Sequence, residues 1–458
     1  MEQFDAIIIG TGQAGPALAV RLTQAGYRTA IIERHLFYGT CVNTGCIPTK
    51  TMIASAKAAH MARHAADYGV TVNGDVRVDL KQVKARKDAI VGTTNDQIPQ
   101  WMTDLPNLSV YKGHARFEDT RTVRVGEQRL SADKIFINVG ARAFVPPLPG
   151  LSEVDYLTNS DMMRLEELPA HLVIIGGSYV GLEFAQMFRR FGSEVTVIEK
   201  GPRLIGREDK DVSDAVHDIL AGEGVNVRLN AECIGVGKKG DEVSLQLDCR
   251  NGGKEVNGSH LLVAVGRRPN TDDLGGEKVR LELDERGYVV VDDQLRTSVA
   301  GIWALGDCNG QGAFTHTAYN DSEIVSANLL DSDPRRVTDR IPTYALYTEP
   351  PLGRVGMTEQ QVRDSGRKAL VGKRPMTRVN RAQAKGDTRG FIKVLVDAET
   401  EKILGAAILG VGGDEAIHLI TDIMYADVSY KVVQRAVHIH PTVSELVPTV
   451  LGQMEPLE

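Results

Sequence analysis

Four apolar residues, "AIII", close on a glycine near the start of the chain; a helix-length run of small and apolar residues follows, and a second apolar run, "TAIIE", ends in an acid. Over residues 5–34 this order predicts a βαβ unit, because parallel strands buried on both faces read as unbroken apolar runs. The same order returns over residues 171–200, "HLVIIGGSYVGLEFAQMFRRFGSEVTVIEK". Shorter apolar runs at 134–140 and 261–266, each followed by Arg and Pro, read as buried parallel strands, and "GIWALGDC" at 301–308 reads as another. Amphipathic spacing predicts helices over 50–68 and 414–427. From about residue 340 the texture changes: "IPTYALYTEPPLGRVGMTE" is rich in proline, and "GFIKVLVDAETEKILGAAILG" reads as a hairpin of alternating strands. The pattern therefore predicts an α/β chain with two Rossmann-like dinucleotide-binding domains and a C-terminal α+β domain. Residues 1–145 with 270–339 form the first domain, 146–269 the second and 340–458 the third.

The turn of each βαβ unit carries glycines with distinct tasks. In Gly10-x-Gly12-x-x-Gly15 the first permits a tight turn, the second lets the backbone approach a pyrophosphate, and the third lets helix and strand pack closely. Glu33 stands 23 residues after Gly10, placed to accept from a ribose hydroxyl. In the second unit Gly176 and Gly181 keep the first and third positions, Ser178 replaces the second glycine, and Glu199 again follows the first by 23 residues. An acid there repels a 2′-phosphate, so NADH is favoured over NADPH, although Lys200 and Arg203 soften that preference. Asp307, beside Gly306 at the end of a strand, suits contact with a polar ligand chain.

A length of 458 residues calls for two to four domains, and a formal charge of −7 offers no basic surface for nucleic acid. No run reaches the roughly 20 apolar residues of a membrane span, and "MEQFDAIIIG" lacks the basic start of a secretory signal, so the sequence reads as cytoplasmic. Five cysteines, Cys41, Cys46, Cys233, Cys249 and Cys308, are too scattered for a disulfide framework. Cys41 and Cys46 form a close pair in "GTCVNTGCIPTK". Zinc would need further Cys or His ligands nearby, and none is in sequence reach. A Gly- and Thr-rich segment that opens a helix favours thiolate, which suits redox chemistry, while two buried structural thiols are the alternative. His438 and His440 sit at alternate positions of an expected strand without a third ligand, so no metal site is assigned.

Together "GTCVNTGCIPTK", the two βαβ units, "GIWALGD" and "HIHPTVSE" resemble the flavin-dependent pyridine nucleotide-disulfide oxidoreductases over essentially the whole chain. This family includes dihydrolipoamide dehydrogenase, glutathione reductase and mercuric reductase. The resemblance implies that the first dinucleotide fold binds FAD, the second binds NAD(P)H, and the third domain builds a homodimer. It implies that Cys46 is the charge-transfer thiol beside the flavin and Cys41 the interchange thiol that meets a small-molecule substrate. Lys50 and Glu183 match an ion pair near the flavin, and Tyr179 matches an aromatic covering the nicotinamide pocket. His440 and Glu445 match a catalytic base and its orienting acid, supplied to the cysteines across the twofold axis. Asp307 matches the aspartate that bonds the ribityl chain. Phe314, Thr315, His316 and Thr317 match the run beneath the flavin, and Gly39, Thr40, Ala115, Gly140, Gly266 and Gly306 complete the implied cofactor contacts. Cys308 is expected to be structural.

Within the family, "GCIPTKT", "KIFINVGARAFVPPLPG" and "PPLGRVGMTE" look closest to mercuric-reductase-like flavoenzymes of defence against reactive chlorine species or metal ions. A dihydrolipoamide dehydrogenase is the alternative, supported by Glu199, Lys50 and the His440–Glu445 pair and opposed by the divergent stretch from 70 to 110. A metal-ion reductase would lack the usual C-terminal cysteine pair, since no cysteine follows Cys308. From another class, a non-catalytic FAD-binding scaffold would keep its flavin oxidised in excess NADH.

Overall fold

The structure is a computed structural model and describes residues 1–92, 95, 97–249 and 253–457. Two compact units divide the chain: Met1–Thr51, Gln82–Phe144 and Gly266–Arg340 make one, and Met52–Lys81, Val145–Val265 and the residues from Ile341 onward make the other.

At the centre of the first unit is a parallel five-stranded sheet, in the order Ile302–Ala304, Lys134–Ile137, Ala6–Ile9, Thr29–Glu33, Leu108–Lys112. Its strands are covered on both faces, and alternate side chains enter different cores. Ile8, Ile31 and Phe136 meet Leu18, Ala19 and Leu22 of the helix Ala14–Gln24, while Ile7, Ile9, Ile32 and Ile135 pack with Phe117, Val123 and Leu130. Each fully buried isoleucine contributes roughly 1.5–3 kcal/mol relative to exposure. The Arg- and Pro-bearing segments after two of the predicted strands pair with each other, Ala141–Ala143 antiparallel to Arg267–Pro269. The strand expected over 301–308 stops at Ala304, because Gly306, at φ 69°, turns the chain into the 3-10 segment Gly306–Asn309. The helix expected from residue 50 starts earlier and ends sooner, Cys46–Arg63, followed by the 3-10 turn Ala65–Tyr68. Pro48 sits in its first turn, where the missing N–H costs nothing. The divergent stretch from 70 to 110 holds the helices Leu80–Val91 and Gln100–Asp104.

In the second unit a parallel sheet runs Asn226–Arg228, Glu194–Ile198, His171–Ile175, His260–Val263, with the helix Tyr179–Phe191 after its third member in that order. The C-terminal part is a six-stranded antiparallel sheet covered by the helix Gly413–Tyr425. Gly353 permits that close packing: a Cβ there would stand 2.2 Å from Gly413 O and 2.8 Å from Ile417 Cβ. The hairpin Phe391–Asp397 and Ile403–Leu409 forms, but the expected alternation fails, since every residue of both strands is buried. Lys393 is tolerated there because its ammonium bonds Asp209 at 2.9 Å and Asp211 and Glu359 at 2.7 Å.

Candidate active site

Both glycine turns have one geometry, which follows from their shared spacing. Gly10 adopts φ 109° with a virtual Cβ 2.2 Å from Asn138 O, and Gly176 adopts φ 115° with one 2.4 Å from Ala264 O. A Cβ on Gly15 would meet Gly10 O at 2.3 Å, and one on Gly181 would meet Gly176 O at 2.1 Å. The two acids repeat as well. Glu33 accepts from Thr11 N at 3.1 Å and His35 N at 2.9 Å; Glu199 accepts from Gly177 N at 2.8 Å and Gly201 N at 2.6 Å. Each carboxylate thus closes its own turn and retains acceptor capacity for a ligand hydroxyl.

The second glycine position separates what the fold needs from what a ligand needs. A Cβ on Gly12 would meet nothing nearer than Asn138 Nδ2 at 3.5 Å, so nothing in the chain demands glycine there. Space kept free beside backbone N–H groups at a helix start is what a pyrophosphate uses, and the first unit therefore fits FAD. Ser178 is accommodated on the same ground: it caps its helix in an extended conformation, φ −112°, with no backbone strain.

Asn138 holds the first turn from below, its Nδ2 donating to Gly10 O at 3.2 Å and Gly12 O at 3.1 Å. Sequence reasoning missed it, although a polar residue inside "KIFINVG" was a signal. Asp321 was missed too. It is buried, accepts from Gly306 N at 2.8 Å and Asn309 Nδ2 at 3.0 Å, pairs with Arg340, and so fixes the turn that presents Asp307. Burial pushes the Asp307 carboxyl up, against the charge of Arg267 at 3.2 Å. Arg267 Nε is buried without a hydrogen bond, a donor left over for a polar ligand chain. Ala115 is buried at the start of the strand Ala115–Phe117, while Gly140 and Gly266, at φ 66° and 141°, accept from Asn270 N and Phe144 N.

The cysteine pair is built from two short helical starts. Cys41 lies in the turn Gly39–Asn43 with Thr40, and Cys46 is the first residue of the helix Cys46–Arg63. Gly45 lets them approach, since a Cβ there would stand 2.9 Å from Thr40 O and 3.2 Å from Cys41 Cα. Both are thiols in this structure. Thr315, first residue of the helix Thr315–Ser326, brings its Oγ1 to 3.3 Å from Cys46 Sγ, a side-chain contact the sequence did not announce. Phe314 and His316 stack at 5.4 Å, and Thr317 Oγ1 donates to Phe314 O at 2.7 Å, closing the start of that helix.

A lowered pKa was expected of this pair, and for Cys41 the direction is reversed. Its hydrogen bond to Cys46 and its burial push the thiol up, while Thr315 pulls it down. The two thiols titrate as a pair, so the first proton lost belongs to the pair rather than to either sulfur alone. Lys50 lies one turn beyond Cys46 on the same helix face. Cys308 is fully buried, its Sγ donating to Leu305 O at 3.2 Å, as a structural thiol would be.

In the second unit Tyr179 opens its helix, and Glu183 follows one turn later on the same face, buried, accepting from Tyr347 N at 3.1 Å. His440 stands largely exposed with Nδ1 at 3.1 and 3.0 Å from the two oxygens of Glu445, whose side chain is mostly covered. That bond fixes the tautomer and leaves Nε2 for proton exchange. The segment 437–441 is irregular rather than the expected strand, so His438 and His440 do not present alternate faces of a sheet. Among the described residues no helix is long and apolar enough to cross a membrane.

Comparison with known proteins places this geometry. The pyridine nucleotide-disulphide oxidoreductase family matches residues 4–322, and that family's dimerisation domain matches residues 342–451. The chain is 37% identical over 454 residues to a probable pyridine nucleotide-disulfide oxidoreductase, RclA, of Escherichia coli K12, covering 97% of this chain and 98% of that one. It is 33% identical over 450 residues to a mercuric reductase of Streptomyces lividans, covering 96% and 94%. A solved structure described as the Cu(II) complex of the HOCl-induced flavoprotein disulfide reductase RclA from Escherichia coli superimposes with a TM-score of 0.89 at 35% identity, covering 99% of both chains.

Proposed function

The chain belongs to the pyridine nucleotide-disulphide oxidoreductase family, and we propose that within it the protein is an FAD-dependent reductase that takes electrons from NADH, with NADPH as the alternative donor, and delivers them through Cys41 and Cys46 to a small oxidant of the defence type. The observation that carries this reading is the cysteine pair: Gly45 lets the two thiols approach, and Cys46 stands at a helix start with its Sγ 3.3 Å from Thr315 Oγ1.

In this reading residues 1–145 and 270–339 hold FAD through Gly10, Gly12, Gly15, Glu33 and Asp307, and residues 146–269 hold the nucleotide through Gly176, Gly181 and Glu199. Bound flavin would supply the two-electron relay between nicotinamide and the cysteines. The chain's own residues do the rest. Cys46, favoured as thiolate by the dipole of its helix and the Thr315 hydroxyl, keeps the charge, while Cys41 meets the oxidant as the outer nucleophile. When the pair delivers two electrons it closes to a disulfide and releases its protons. His440, held by Glu445, would take up and return one of them. Residues 340–458 form the interface of a homodimer, which would bring His440 of one copy to the cysteines of another. The exposed Val437 and Ile439 beside His440 suit a surface covered by a second copy.

The sequence similarity to RclA, described as HOCl-induced, favours a reactive-chlorine or metal-ion oxidant over lipoamide. Steady-state NADH oxidation by the flavin-loaded protein tests this with N-chlorinated amines, Cu(II), Hg(II) and lipoamide as acceptors. Turnover with the chlorinated amines or a metal ion, lost in Cys41→Ser, supports the defence reductase. Turnover confined to lipoamide and lost in His440→Ala overturns it in favour of a dehydrogenase.

A further inference from the structure

Tyr179 is the first residue after the second glycine turn, and its half-buried ring does not end in solvent. Its hydroxyl donates to Glu208 Oε1 at 3.1 Å, and the hydroxyl of Tyr344 donates to the same oxygen at 2.6 Å. The two rings meet edge to face, 5.6 Å apart at 87°. Glu208 is only 2% exposed, so these donors are a large part of what a buried anion there can rely on. Both lone-pair directions of Oε1 are taken.

The other half of the carboxylate is idle. Among the described residues Glu208 Oε2 is buried with no hydrogen bond, and so is Arg354 Nε, which faces it at 3.9 Å in a long ion pair. The remaining arginine nitrogens are engaged, Nη1 with Asp209 Oδ2 at 3.0 Å and Nη2 with Met357 O at 3.1 Å. A donor and an acceptor of opposite charge are thus held about 1 Å beyond bonding distance inside the protein, an arrangement that costs free energy unless another state uses it.

We propose that Glu208 is a positioning residue for the second nucleotide site: its carboxylate latches Tyr179 across the mouth of the glycine turn, and the idle Oε2–Nε pair is the bond it forms instead when an incoming nicotinamide displaces the ring. This rests on the reading that the second turn binds a pyridine nucleotide. Losing the Tyr179 donor would otherwise leave a buried anion under-solvated and make opening costly. A shift of about 1 Å toward Arg354 supplies a charge-assisted replacement. Tyr344 stays on Oε1 in both states and keeps the carboxylate aimed.

Closed and open forms that differ by one bond make apparent affinity depend on the open fraction. The experiment measures the dissociation constant of NAD⁺ for the flavin-loaded protein in wild type, Tyr179→Phe, Tyr179→Ala, Glu208→Gln and Tyr344→Phe, together with KM and kcat for NADH. The latch predicts that Tyr179→Phe, which keeps the ring and removes only the donor, binds NAD⁺ about tenfold more tightly. KM falls while kcat holds, and Glu208→Gln gives the same direction. Tyr344→Phe removes a neighbour of the Tyr179 hydroxyl but leaves its bond to Glu208, so it tightens binding less than Tyr179→Phe, whereas a merely structural network would make the two alike. If Glu208→Gln does not fold, Tyr179→Phe decides alone. Unchanged or weaker affinity in Tyr179→Phe, with a change in Tyr179→Ala, overturns the latch and leaves the nucleotide site standing. No change in either variant removes the nucleotide reading, and the latch with it.

Discussion

Replacing Thr315 by Val isolates the hydroxyl that faces Cys46. Valine keeps the branching at Cβ, so the perturbation is the loss of one hydrogen bond rather than a cavity. The contact is 3.3 Å between Thr315 Oγ1 and Cys46 Sγ, and with sulfur ionised the hydroxyl must be the donor. A hydrogen bond to a charged acceptor is worth about 1.5–3 kcal/mol, and 1.36 kcal/mol corresponds to one pKa unit, which would give a shift of about one to two pH units. Cys46 is exposed, so solvent replaces part of the lost bond and the lower figure, about one unit, is expected. The sign follows from which form the hydroxyl favours: a donor at 3.3 Å stabilises an ionised Cys46, and Thr315 also pulls the Cys41 thiol down, so valine moves the apparent midpoint of the pair up. The assay is the long-wavelength charge-transfer absorbance of the anaerobic, two-electron-reduced protein against pH, since only the thiolate gives that band. A midpoint about one unit higher in Thr315→Val, with wild-type flavin content, is the expected result. An unmoved or lowered midpoint would refute the placement of the thiolate on Cys46 beside this hydroxyl.

Gly12→Ala and Gly15→Ala should part company, because a Cβ at 12 has 3.5 Å of clearance and one at 15 would lie 2.3 Å from Gly10 O. The first is expected to fold and purify with little flavin, the second to lose thermal stability, and flavin content with a melting curve on each decides. Lys393→Met leaves the buried Asp209 and the half-buried Asp211 and Glu359 with one cation fewer, Arg354 and Lys373 remaining, and should cost at most about 3–5 kcal/mol in denaturant unfolding. Although burial alone would raise them, Asp209 is held low by Arg354 and Lys393, and Asp211 by Lys373 and Lys393. Their contribution is complete above the ordinary aspartate value of 3.8 and disappears as pH falls through the depressed folded values. Acid-unfolding curves should therefore separate wild type from Lys393→Met least at the lowest pH. His60 adds to the same trend over a higher pH range: burial and the Arg190 charge lower it from 6.5 to about 4. The unfolded chain binds its proton first, so stability should fall as pH drops from 6.5 toward 4, and His60→Gln should flatten that slope.

The parts of the molecule written in local pattern were legible. Two apolar–glycine–helix–apolar–acid segments predict two parallel sheets, and the spacing from Gly10 to Glu33 and from Gly176 to Glu199 picks out both acids for a ribose hydroxyl, without announcing the bonds they make to their own turns. Local pattern says little about pairings between distant segments. The strand pair joining Ala141–Ala143 to Arg267–Pro269, the hold of Asn138 on the first turn and the reach of Thr315 to Cys46 all cross long stretches of chain. Electrostatics misled the reading for a related reason. A helix start lowers a thiol's pKa, but Cys41 shares its proton with Cys46 and is partly buried, and those two effects outweigh the dipole. "FIKVLV" reads as a strand of an alternating hairpin, whereas three carboxylates from elsewhere in the chain let Lys393 lie in a fully buried strand.

The central claim is that Cys41 and Cys46 carry electrons and that Cys46 is the thiolate facing the flavin. Anaerobic titration of the yellow protein with NADH, followed by its visible spectrum in wild type and in Cys46→Ser, tests it most directly. A long-wavelength band at two-electron reduction is expected in wild type and is expected to be missing in Cys46→Ser. Direct bleaching of the flavin in wild type, with no such band, would contradict it and leave the cysteines outside the electron path.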